Sequence, residues 1–238
     1  MNLLYFPFSG ASKYSYHSFK PYLQGDFTSL PLELPGRGGR IKEGLIYSMH
    51  EAVEDLYYQV LRYIHQPFVF YGHSLGCHLA YLVARKLMEN QKPLPLYLFL
   101  SGSTAPSVDR ATESLRYQLP QEEFYKELKS YGGTQDEILL NAELMAFMEP
   151  ILRADFQILE TYQYPKDRAP LPVPFYAFKG QEEDITEEEA MAWQKETSTR
   201  FSYRAFSGKH FFIYEHEKEI VSIIKAALEK VMVEQPLL

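Results

Sequence analysis

The chain has 238 residues, 46% of them hydrophobic and 23% charged, with a formal net charge of −7. Those values fit one ordinary globular domain and exclude a compositionally disordered chain. They also set aside nucleic acid or an anionic membrane surface as the main partner, because a net acidic chain without a basic stripe offers neither a matching field.

The opening run Leu3-Leu4-Tyr5-Phe6 is apolar and closed by Pro7. It is too short for the core of an export signal and lacks a basic start, so it reads as a buried strand. A helical stretch over residues 12–23 follows, and then a second strand over 27–34. Pro35-Gly36-Arg37-Gly38-Gly39-Arg40 is a glycine-rich loop. It lacks the Gly-x-Gly-x-x-Gly spacing of a dinucleotide cradle, so it reads at least as well as a plain turn. From Tyr47 to Ile64 the apolar positions Val53, Leu56, Val60, Leu61 and Ile64 recur at helical spacing. Phe68-Val69-Phe70-Tyr71 is a continuous apolar strand, residues 75–88 form a helix rich in alanine and leucine, and Leu96–Leu100 is the next strand.

The alternation then stops. Residues 109–165 carry no strand pattern, only helical segments over 121–131, 136–140 and 142–162. Strand character returns at 173–178 and 201–206, with helices over 187–197 and 217–233. Short, fully apolar strands alternating with helices predict a mostly parallel sheet with helices on both faces, in a single domain spanning 1–238. The helical insertion over about 109–165 is expected to act as a lid. No stretch approaches the roughly 20 apolar residues that a membrane span needs. The single cysteine, Cys77, rules out an intrachain disulfide and makes a reducing cytoplasm the expected setting.

Tyr71-Gly72-His73-Ser74-Leu75-Gly76 carries the chemistry. The Gly-x-Ser-x-Gly pattern alone is weak, but here a hydrophobic strand ends just before Gly72 and a helix begins just after Ser74. Such a sharp strand-to-helix turn strains the serine and needs small residues two positions before and after it, which Gly72 and Gly76 supply. This makes Ser74 the expected nucleophile of an α/β-hydrolase fold, in which the acid and then the histidine follow the serine along the chain.

Three of the seven histidines lie beyond the nucleophile: His78, His210 and His216. His78 sits one helical turn past Ser74 and is expected to project along the helix as a partly buried or surface side chain. His216 is flanked by Glu215 and Glu217 and reads as a solvated helix start. His210 lies in Ser207-Gly208-Lys209-His210-Phe211, a glycine-containing loop after a late strand, and is the expected base. For the acid, three residues compete in Lys179-Gly180-Gln181-Glu182-Glu183-Asp184-Ile185. Asp184, furthest along the loop and next to Ile185, is the expected partner of the imidazole, with Glu182 and Glu183 as alternatives. One oxyanion donor is expected from the backbone N–H of Leu75, and the other from the Phe8-Ser9-Gly10 turn. Cys77 has no separate base and reads as a small buried apolar residue. No His/Cys/Asp cluster has metal-ligand spacing.

Several segments together resemble the standalone type II thioesterases that accompany polyketide and nonribosomal peptide synthetases. They are Phe6–Gly10, Leu34–Gly38, Phe70–Gly76, Tyr131–Thr134, Pro150–Phe156 and Gly208–Phe212. The family usually has Phe-Pro-His-Ala-Gly-Gly where this chain has Phe6-Pro7-Phe8-Ser9-Gly10-Ala11. Because the hole uses backbone groups, that departure changes the pocket wall near Phe8 and leaves the donors in place. The resemblance implies nucleophile Ser74, acid Asp184, base His210 and a first oxyanion donor on the N–H of Ser9. It implies hydrolysis of acyl thioesters held on the phosphopantetheine arm of acyl or peptidyl carrier proteins, with no cofactor of its own, by a monomer. A fatty-acyl carrier thioesterase or a general small-ester hydrolase is the alternative.

Overall fold

Six strands, β1 (Asn2–Phe6), β2 (Thr28–Pro31), β3 (Phe68–His73), β4 (Leu98–Ser101), β5 (Phe175–Gly180) and β6 (Phe201–Phe206), form one sheet in the order β2-β1-β3-β4-β5-β6. Every pairing in it is parallel. The computed structural model describes residues 1–23, 25–108, 115–131, 141–165 and 167–234.

Alternation within the strands explains why they read as unbroken apolar runs. Leu4, Phe6, Phe68, Phe70, Leu98, Leu100, Phe175 and Ala177 face one core, together with α1 (Met49–Val60) and α2 (Leu75–Glu89). Leu3, Tyr5, Val69, Tyr71, Tyr97, Phe99 and Phe178 face a second core, closed by Phe19 and by α6 (Glu217–Glu234) through Ile220, Val221 and Ile224. A strand with a core on each side has no polar face to show, because successive side chains point to opposite sides of the sheet.

Two elements differ from expectation. Residues 12–23 form turns and a short 3₁₀ helix, His17–Tyr22, containing Pro21. A proline there has no N–H to give and its ring crowds the carbonyl four residues back, which disfavours an α-helix. Residues 187–197 divide into α5 (Glu187–Met191), opened by a capping box between Thr186 and Glu189, and a 3₁₀ segment over Ala192–Glu196.

Between β4 and β5 the described residues contain helices and no named strand: α3 (Gln121–Ser130) and α4 (Ala142–Glu160). The expected helix over 136–140, and Gly132–Thr134 of the resemblance, lie outside the described residues. The insertion has its own small core of Phe124, Leu128, Met145 and Phe156. Arg153 ties it further, donating to the carbonyls of Tyr117 and Leu119 at 2.9 Å each while its guanidinium lies over the Phe124 ring.

Candidate active site

The carboxyl ends of the strands lie side by side. Phe6 pairs with Gly72, His73 with Ser101, Ser101 with Phe178, and Gly180 with Phe206. The loops leaving this edge carry Ser9, Ser74, Gly102, Glu183 and His210. In open parallel sheets this is the edge at which sites form.

Ser74 joins β3 to α2 with φ 53° and ψ −121°, a left-handed conformation that costs a non-glycine residue energy. Its flanking glycines are required by space. A Cβ on Gly72 would lie 2.2 Å from the carbonyl oxygen of Gly76, and one on Gly76 would lie 2.6 Å from that of Phe6. The loop after β1 therefore presses directly on the first turn of α2. The N–H of Ser74 donates to the carbonyl of Ser101 at 2.8 Å, securing the turn against the neighbouring strand. Leu75, next along, opens the helix, where N–H groups have no acceptor within the helix and the dipole favours negative charge.

His210 Nδ1 meets Glu183 Oε1 at 2.6 Å, and the Glu183 side chain is 2% exposed. The other oxygen, Oε2, accepts from the N–H of Gly180 at 2.6 Å. This corrects the acid expected at Asp184: the carboxylate on the histidine belongs to Glu183, and Asp184 lies one step further along, exposed. The reason is the turn. Glu183 N–H donates to the Gly180 carbonyl at 3.3 Å, closing a tight turn that folds residue 183 back over the end of β5. Glu182 N–H meanwhile donates to the Gly208 carbonyl at 3.0 Å and binds the acid loop to the histidine loop. Gly180 permits the approach, since a Cβ there would stand 2.7 Å from the carbonyl oxygens of Gly208 and Lys209. The spacing Gly180-x-x-Glu183 was a usable signal in the sequence, hidden by three acids in a row.

His73 is a contributor that the sequence reading passed over. It is fully buried, its Nδ1 lies 3.1 Å from the Ser101 hydroxyl, and its ring centroid lies 4.7 Å from that of His210. Burial, and then the charge of His210, hold its pKa well below the ordinary value, so it is a neutral wall behind His210. Gly102, at φ +64°, makes room for it: a Cβ there would lie 2.6 Å from the His73 ring. On the outer side, Tyr131 at the end of α3 packs its ring 5.2 Å from that of His210. The Tyr131 hydroxyl is hydrogen-bonded to Arg116, which also pairs with Glu160 on α4. Thus the helical insertion reaches the histidine.

The remaining candidates are placed elsewhere. His78 is buried against Trp193, and among the described residues its Nδ1 has no hydrogen-bond partner; burial pushes its pKa down to about 4. His216 contacts the Ser207 hydroxyl and carbonyl, each at 3.1 Å. Cys77 is fully buried, with Sγ 3.2 Å from the Gly72 carbonyl and 3.1 Å from that of Ser101, and burial drives its thiol pKa far up. Among the described residues no three of His, Cys, Asp and Glu gather to hold a metal ion, and no helix is long and apolar enough to cross a membrane.

A strained serine between strand and helix, with a carboxylate-bound histidine three strands along the same sheet edge, defines an α/β-hydrolase. A family model described as the thioesterase domain matches residues 1–228, and the chain belongs to that family of thioester hydrolases. It is 31% identical over 233 residues to the gramicidin S biosynthesis protein GrsT of Aneurinibacillus migulanus, covering 98% of this chain and 90% of the other. The solved structure of ClbQ from the colibactin NRPS/PKS pathway superposes with a TM-score of 0.91 at 30% identity, over 98% of both chains. The type II thioesterase BorB from the borrelidin biosynthetic cluster gives 0.85 at 31% identity, over 94% of this chain and 91% of the other.

Proposed function

We propose that this protein removes acyl groups from the phosphopantetheine arms of acyl or peptidyl carrier domains, as a standalone type II thioesterase serving a nonribosomal peptide or polyketide synthetase. The observation that carries the reading is the Glu183–His210 pair, 2.6 Å apart, at the sheet edge from which Ser74 projects, in a chain whose relatives belong to such pathways. In this reading Ser74 Oγ attacks the thioester carbonyl while His210 Nε2 takes its proton. Glu183 holds the opposite nitrogen as the donor and stabilises the imidazolium that forms. The backbone N–H groups of Leu75 and Ser9 receive the oxyanion. When the C–S bond breaks, His210 returns the proton to the departing sulfur. A thiol of pKa near 8.5 is a good leaving group, so this step asks little of the acid. Water activated by His210 then opens the acyl-serine and releases the free acid.

The substrate is itself carried by a protein, so the chain needs no cofactor, and the partner is a carrier domain met by a monomer in the cytoplasm. The helical insertion over 109–165, whose Tyr131 touches His210, serves as the lid that admits the arm. The test is mass spectrometry of carrier proteins loaded with acyl groups of different lengths, beside simple oxygen esters, treated with wild type and with Ser74→Ala. Wild type is expected to unload the carriers and Ser74→Ala to leave them loaded. Unloading by the alanine variant, or turnover of oxygen esters alone, would overturn the reading.

A further inference from the structure

Asp155 and Arg37 form a fully desolvated ion pair that the chemistry above does not use. Asp155 projects from α4 and is 0% exposed; Arg37, in the glycine-rich loop after β2, is 2% exposed. The contact is bidentate, Nη1 to Oδ2 at 2.5 Å and Nη2 to Oδ1 at 2.8 Å. A third donor completes it: the N–H of Gly10 reaches Oδ2 at 2.7 Å. Such pairs are poor stabilisers, since stripping two charges of water costs about as much as their attraction returns.

What it joins is informative. Gly10 directly follows Ser9, whose N–H is the proposed hole donor, and adopts φ +78° with no space for a Cβ, which would lie 2.8 Å from Leu152 Cδ2 on α4. Phe8, on the other side of Ser9, packs edge-on against His73 and Phe211, ring centroids 5.7 and 5.4 Å away. Ser9 is therefore held between a ring packed on His73 and Phe211 and a peptide hydrogen-bonded to the lid helix. The glycine-rich loop is what delivers Arg37. It wraps the Glu33 carboxylate, which accepts from the N–H groups of Lys13 and Gly39, so closely that a Cβ on Gly38 would overlap it.

We infer that Asp155, oriented by Arg37, is a positioning residue for the oxyanion hole, fixing the Ser9–Gly10 peptide and coupling the lid helix to the hole. The inference rests on the proposed role of Ser9. Hole donors act through placement, and losing one costs about 10²–10³ in kcat, so a displaced donor should cost about 10- to 100-fold.

The test compares Asp155→Asn with the double variant Arg37→Met/Asp155→Leu, which removes both buried charges and keeps an apolar filling. The double variant is expected to melt at or above the wild-type temperature and yet lose about 10- to 100-fold in kcat, with KM within about threefold. Affinity for an acyl trifluoromethyl ketone, which mimics the tetrahedral oxyanion, should fall in parallel, while affinity for the product acid holds. Asp155→Asn, which keeps the side-chain shape, should show the same split more weakly. Wild-type kcat in either folded variant, or a loss confined to KM, would overturn the inference. Running the series on a small acyl thioester as well as on loaded carriers separates the two questions. Failure on carriers by the wild type itself would count against the proposed substrate, whereas the kcat split on the small thioester reports on the hole alone.

Discussion

Glu183 approaches His210 from a turn that closes on Gly180, and one of its oxygens is already occupied by the Gly180 N–H. That second bond holds the carboxylate plane so that the first can act on the imidazole. Glu183→Gln retains the shape but removes the charge and offers the histidine an amide that can select the wrong tautomer. Steady-state kinetics on a thioester should show kcat lower by about 10²–10⁴. Asp184→Asn, at an exposed position, should stay within about twofold of wild type. The reverse order of effects would return the acid to Asp184. His73 belongs to the same scale: a buried neutral ring against His210 limits where that imidazole can move.

At the scale of elements, the described part of the insertion between β4 and β5 is joined to the rest of the molecule at several polar points. These include Asp155 on α4 with Arg37 and Gly10; Ile158 of the same helix joins the core shared with α1 and α2, while Phe124, Leu128, Met145 and Phe156 form a cluster of their own. Phe124, fully buried, stacks edge-on with Phe156 at 5.7 Å and lies beneath the Arg153 guanidinium. In a large core, Phe→Ala costs about 3–5 kcal/mol. In so small a cluster the loss should open the insertion locally and leave the sheet standing. Limited proteolysis of Phe124→Ala should therefore cut faster within 109–165, while the main thermal transition moves only slightly. Equal changes in both would mean that the insertion and the sheet unfold as one unit.

For the molecule as a whole, two histidines on opposite sides of Ser74 in sequence are buried in their neutral form. For His78 the folded pKa, about 4, lies below the ordinary value of 6.5, and desolvation is the cause. Between those values the unfolded chain binds more protons than the folded one. The contribution of this site to stability is therefore fully present above pH 6.5 and is lost as pH drops through the window from 6.5 to 4. The full effect of this one site is on the order of 3 kcal/mol. His78→Leu should flatten that part of the acid limb when urea midpoints are measured from pH 7 to pH 4.5. An unchanged slope would show that His78 is not held neutral by burial. His73, shifted in the same direction, should keep some slope in the variant.

The features legible in the chain are those governed by neighbours a few residues apart. Strands such as Phe68–Tyr71 must be buried on both faces because every position is apolar. Ser74 must turn sharply because Gly72 and Gly76 leave the space for it, and His210 follows a glycine after a late strand. The resemblance of the insertion and loop segments then narrowed a hydrolase to a thioesterase. Other features depend on groups brought together from distant segments, which carry no local signature. Three adjacent acids have the same charge and solubility, and only the turn over residues 180–183 and its bond to Gly208 choose Glu183. Arg37 and Asp155 stand 118 residues apart, and neither is distinguishable from a surface charge until β2, the loop after β1 and α4 meet. Backbone sterics are set within a few residues, so the sequence determined the nucleophile turn. Electrostatic partnership depends on distances across the fold and on the water excluded there, and only the tertiary structure decided it.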